Sequence, residues 1–135
     1  MKRAAKKIGL AIVGAGRVGL FRGEVAARHP AVEWIGLAET KPDRAKLVAD
    51  KVGADFVTAD FRELLRRPEV NAVIIATDEH LHVDPIMAAV EAGVPMLIEK
   101  PLATDLVESA RVLRAIEQAK IDAVVGYTQR FRRNG

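Results

Sequence analysis

The chain has 135 residues, the length of one domain and too few for an enzyme with separate cofactor and substrate halves. Half are hydrophobic and 29% are charged, which excludes a disordered or collagen-like chain, and the absence of cysteine removes disulfides, thiolate nucleophiles and cysteine-held metals. A net charge of +3 is too small an excess to argue for a nucleic-acid partner.

At the N-terminus Lys2, Arg3, Lys6 and Lys7 precede the apolar run Ile8–Val13 and imitate a secretory signal. The imitation fails because Gly14 and Gly16 interrupt the run, Arg17 ends it, and a helical pattern begins before any small-residue cleavage site. No stretch approaches the roughly 18 apolar residues of a membrane span, so a soluble cytoplasmic protein with no membrane partner is expected. Ile8–Val13 itself reads as a strand buried on both faces, as parallel sheets contain. A helix should follow from the glycine-rich turn after it, and Val32–Ala38 should be the second strand. Pro42 then opens a helix with Ala45, Val48, Ala49 and Val52 on one face and Gly53 as its stop.

Residues 54–57 give a third strand, and residues 60–67 a short helix with Asp60 and Glu63 in capping-box spacing, ended by Pro68. A fourth strand over 72–76 leads to a helix over 82–92 stopped by Gly93, and a fifth strand covers 95–98. After Thr104, Leu106, Ala110, Leu113 and Ile116 form the apolar face of a last helix, and Ala123–Val125 is the sixth strand. Residues 130–135 lose the pattern. Right-handed crossovers between such strands give an α/β fold: a Rossmann-type, doubly wound, mainly parallel six-stranded sheet with helices on both faces.

Gly14, Ala15, Gly16, Arg17, Val18 and Gly19 read GxGxxG between the first strand and its helix. Gly14 permits the tight turn, Gly16 lets backbone approach a pyrophosphate, and Gly19 lets helix and strand pack closely; the first helical N–H groups would hold the phosphates. Glu39 ends the second strand twenty residues beyond Gly19, where a carboxylate can accept from both hydroxyls of an adenosine ribose. Its charge repels a 2′-phosphate, which predicts NAD; Lys41 and Arg44 nearby keep NADP as the alternative. The arginines of residues 62–67 have no aromatic residue between them and those of 130–133 only Phe131; both groups read as solvated charge, and Trp34 reads as packing in the second strand.

Further along, the chain carries Ala76 and Thr77 after the fourth strand, His82, Ala92 and Gly93, then Glu99, Lys100 and Pro101 after the fifth, and Gly126, Tyr127, Arg130 and Phe131 near its end. With the glycine loop and Glu39, these residues make nearly the whole chain resemble the cofactor domain of the Gfo/Idh/MocA oxidoreductases, which include inositol dehydrogenases and glucose–fructose oxidoreductase. The resemblance implies that Lys100 is the catalytic residue, beside the nicotinamide and the reacting hydroxyl, where an ammonium orients the substrate oxygen and joins proton relay. It further implies that Glu99 fixes the nicotinamide end, that Thr77 borders the crevice where strand order reverses, and that His82 either contacts cofactor or caps its helix. Asp78 and Glu79 depart from the family, which usually has proline and asparagine there; His29 and His80 match nothing and read as surface residues.

By the same resemblance residues 1–128 are the dinucleotide-binding domain, and residues 129–135 begin a connection to a substrate domain expected outside this chain. The expected function is the nicotinamide-binding part of an oxidoreductase that moves a hydride to or from a sugar, cyclic polyol or related hydroxy compound, with no metal. The alternative is a stand-alone dinucleotide-binding or sensing module without turnover. A homo-oligomer is left open, with an exposed Phe131 as one source of self-association.

Overall fold

A computed structural model of the protein describes residues 7–77, 83–98, 106–120, 123–125 and 129–131. In chain order they form β1 (Ile8–Val13), α1 (Arg17–Ala27), β2 (Val32–Ala38), α2 (Pro42–Val52), β3 (Phe56–Thr58), α3 (Phe61–Leu65), β4 (Ala72–Ile75), α4 (Val83–Ala92), β5 (Met96–Ile98), α5 (Leu106–Ala119), β6 (Ala123–Val125) and β7 (Gln129–Phe131). The sheet order is β3-β2-β1-β4-β5-β6-β7, with the first six strands parallel. This is the doubly wound arrangement that the alternation of apolar runs and helical faces predicts.

The continuous apolar runs are explained by burial on both sides. Along β1, Leu10 and Ile12 join Ile35, Leu37 and Ile74 under Ala45, Val48 and Val52 of α2. The alternate residues Ala11 and Val13 join Val73, Ile75 and Ile98 under Leu64 of α3, Ile86 of α4 and Ile116 of α5. Each fully buried Leu, Ile or Val contributes about 1.5–3 kcal/mol, so a polar residue at any of these positions would weaken one whole layer.

The fourth strand ends one residue earlier than expected, at Ile75, and the fifth starts one later, at Met96; three further differences have a visible cause. The third strand starts at Phe56 rather than 54, because Gly53 is left-handed (φ 69°) and Ala54 N–H still donates to Ala49 O of the preceding helix. The short helix is α3, capped as expected by Asp60, whose Oδ1 accepts from Arg62 N–H at 2.9 Å; residues 66 and 67 only close its last turn. The sheet has seven strands, not six: β7 pairs antiparallel with β6, Val124 opposite Arg130, and carries the sheet past residue 128. Unlike the equally short β5 and β6, Gln129, Arg130 and Phe131 make no apolar run, so this strand left no signal in the sequence and exists by pairing.

The amino end of the sheet is closed by its own polar groups. Asn71 Oδ1 accepts from Gly9 N–H at 3.0 Å and its Nδ2 donates to Lys7 O at 2.9 Å. Asp55 Oδ2 likewise accepts from Ile35 N–H at 2.9 Å. Trp34 stacks on Phe56 with centroids 6.3 Å apart, and the Arg67 guanidinium lies 4.7 Å from the Phe56 ring centre while bound to Glu69 at 3.0 Å. Trp34 is therefore packing, as read. His29 is exposed, with Nδ1 accepting from Ala31 N–H.

Candidate cofactor cleft

The strand order reverses between β1 and β4, and chain connections leave these neighbours in opposite directions. A crevice at their carboxyl ends follows from that topology. It holds a cleft of about 270 Å³ bordered by the glycine loop, Glu39, Arg44, Phe61, Thr77 and Asp84.

The loop is shaped by its three glycines in three ways. Gly14 has φ 95°, and a Cβ there would lie 2.7 Å from Thr77 N and 2.8 Å from the Ala76 carbonyl, so both the turn and the approach of β4 require its bare Cα. A Cβ on Gly19 would strike the Gly14 carbonyl oxygen, which fixes how closely α1 sits against the end of β1. At Gly16 a Cβ would meet nothing within 4 Å. The protein itself leaves that position open, and Gly16 caps α1 with extended backbone and without a side-chain hydrogen bond at the cap. Arg17 and Val18 form the first turn of α1, but their side chains lie outside the described residues.

Glu39 follows β2 and its N–H donates to Thr58 O at the end of β3. Its carboxylate bridges two segments: Oε1 accepts from Ala15 N–H at 2.8 Å, and Oε2 accepts from Lys41 N–H at 2.9 Å and from Thr40 Oγ1 at 3.4 Å. Burial pushes the Glu39 carboxyl up, but the Lys41 and Ala15 amides, the Arg44 charge and the Thr40 hydroxyl together outweigh it and hold the group below its ordinary value. It is therefore an anion at neutral pH, placed beside a loop that exposes backbone donors.

The structure thus brings Gly14, Ala15, Gly16, Glu39, Ala76 and Thr77 to one cleft. Gly19 sits behind them as a packing residue. His82, Glu99 and Lys100, like His80 and Pro101, lie outside the described residues. Sequence reasoning missed Ala59, Phe61 and Asp84 as cleft residues. The available signal was position: each follows the carboxyl end of a parallel strand, where such crevices form. Among the described residues no group of three or more His, Asp or Glu could hold a metal ion, and no helix is long and apolar enough to cross a membrane.

A Cβ-free open position at the start of α1, with a carboxylate just after the neighbouring strand β2 lining the same cleft, fits a dinucleotide. Comparison with known proteins agrees. Residues 8–127 match the model of the GFO_IDH_MocA oxidoreductase family, described as an NAD-binding Rossmann fold. The chain is 30% identical over 126 residues to the "uncharacterized oxidoreductase YrbE" of Bacillus subtilis, covering 93% of this chain and 37% of that protein. It is 30% identical to scyllo-inositol 2-dehydrogenase (NAD+) of the same organism, over 90% of this chain and 36% of the relative. Among solved structures, levoglucosan dehydrogenase in complex with NADH and levoglucosan superposes with a TM-score of 0.79 at 30% identity, over 89% of this chain and 35% of the other. The chain spans little more than a third of the length of the relatives it matches.

Proposed function

Because the chain belongs to the Gfo/Idh/MocA oxidoreductase family, as its NAD-binding Rossmann fold, we propose that it is the cofactor-holding part of a dehydrogenase for sugars, cyclic polyols or related hydroxy compounds. The observation that carries this reading is the anionic Glu39 held beside the glycine loop, with Gly16 open to the same cleft. In it, the N–H groups around Gly16 and at the start of α1 hold the pyrophosphate, and Glu39 accepts from the ribose hydroxyls. Bound nicotinamide supplies the hydride acceptor or donor.

Arg17 and Val18 contribute their amides at the helix start, and Ala76 and Thr77, packed against Gly14, line the same cleft. The charge of Glu39 favours NAD over NADP, while Arg44 and Lys41 on the rim leave NADP the weaker alternative. Lys100 follows β5 by two residues in the chain and is assigned the role of orienting the substrate hydroxyl and relaying its proton, with Glu99 and His82 supporting the nicotinamide end. Residues 1–128 are proposed to hold the cofactor, and β7 extends the sheet of that domain to Phe131. Substrate contacts and any homo-oligomer belong to the same proposal, as does residence in the cytoplasm, where free NAD is kept.

Calorimetric titration of the chain with NAD and NADP tests it. NAD should bind at least about tenfold more tightly than NADP, and Glu39→Ala should narrow that ratio. Failure of a folded sample to bind either nucleotide would sink the proposal; NADP binding tighter than NAD would overturn the role given to Glu39. Oxidation of inositol or levoglucosan by the chain alone should be slow, since among the described residues no element closes over the cleft to keep water from a reacting carbon.

A further inference from the structure

We propose that Glu39 is a positioning residue for the phosphate-binding loop as well as a reader of the ribose, so that one carboxylate sets the loop's shape before any nucleotide arrives. This second role rests on the NAD-binding reading above. Its basis is the bond from Ala15 N–H to Oε1 at 2.8 Å, which joins residues 24 apart in the chain. Ala15 is only 3% exposed, so an amide there that lost its acceptor would be stranded away from water.

The loop needs such a hold. Ala15 stands between Gly14, which is left-handed, and Gly16, whose Cα faces open space, so neither neighbour has a side chain to restrict its backbone. On the other oxygen, Lys41 N–H and the Thr40 hydroxyl anchor the carboxylate to the start of α2. The side chain is thereby braced from both ends, between the loop and the turn after β2. In a nucleotide the ribose and the phosphates are covalently joined, so their two binding groups must stand at a fixed separation. A direct bond between the ribose-reading acid and the phosphate-holding loop sets that separation in advance and lowers the ordering cost of binding.

The test separates the two roles with ADP and 2′,3′-dideoxy-ADP, which lacks the hydroxyls that Glu39 would read. Affinities are measured by calorimetry for the wild-type chain, Glu39→Ala and Glu39→Gln. If Glu39 also holds the loop, Glu39→Ala should weaken dideoxy-ADP about tenfold, although that ligand offers Glu39 nothing to bind. Glu39→Gln keeps one oxygen for Ala15 N–H while its NH2 meets the Lys41 N–H, so its dideoxy-ADP affinity should fall between those of wild type and Glu39→Ala. Dideoxy-ADP affinity unchanged in Glu39→Ala, with ADP affinity reduced, would overturn the loop role and leave the NAD reading standing. Equal weakening in Glu39→Gln and Glu39→Ala would overturn the claim that the loop needs an acceptor at that oxygen. Wild-type protein that binds neither nucleotide would overturn both. In the unliganded wild type the Ala15 amide should exchange with solvent slowly; exchange at the rate of an unprotected amide overturns the brace without any variant having to fold.

Discussion

The two ends of the sheet contain similar residues put to opposite uses. At the amino end, Gly9 lies so close to the Glu69 carbonyl that a Cβ would overlap it, and Asn71 uses both ends of its amide on Gly9 and Lys7. At the carboxyl end, Gly16 faces open space, and the Glu39 carboxylate bridges the loop to the start of α2 at the edge of a cleft. A glycine at the first end is a place where two parts of the protein meet; a glycine at the second is a place where something else can. Polar side chains divide the same way: Asn71 and Asp55 complete backbone pairing across the sheet, whereas Glu39 holds a charge beside donors left for a ligand.

If that division holds, changes at one end should damage folding and at the other binding. The largest effect is expected from Gly9→Ala, where the clash is with backbone that cannot swing aside: a loss of about 3 kcal/mol, seen as a shifted urea midpoint with NAD affinity of the folded fraction retained. Gly16→Val should do the reverse, weakening NAD at least about a hundredfold in calorimetry while the melting temperature stays within about 4 °C. A Gly16→Val protein that melts far lower would break the comparison. Asn71→Ala removes the side-chain partners of Gly9 N–H and Lys7 O and should cost about 1–2 kcal/mol in urea unfolding, again without loss of NAD affinity.

The smallest effect concerns acid. The Glu39 carboxyl is held below its ordinary value in the folded chain, so what it contributes is present above the unfolded value and lost only as pH falls through the lower, folded one. NAD affinity measured between pH 8 and about pH 5.5 should therefore show no loss assignable to Glu39. A decline through neutral pH that disappears in Glu39→Gln would contradict the depressed value.

The open end was the more legible of the two. The loop at 14–19 and Glu39 announce themselves because the motif is local and the acid follows at a fixed spacing. The strands and helices were legible for the same reason, since burial on both faces of β1 or one face of α2 writes a pattern within a few residues. Gly9 and Asn71, 62 positions apart, have no such pattern, and their bond exists only because β1 and β4 become neighbours. The Glu39 to Ala15 bond is hidden in the same way: spacing brings the acid to the right strand end but cannot say which amide it holds. Phe61 and Asp84 enter the cleft from helix starts whose local sequence only says where a helix begins. Lys100 was read from the triplet alone.

The margins of the sheet carry one more consequence. β3 on one side and β7 on the other are each three residues long, although the sheet they bound is seven strands wide. Among the described residues, a stray strand adding to either margin would find only a few outward-facing amides and carbonyls. Among the described residues, width is gained without length, so these two margins offer other copies few backbone groups to pair with.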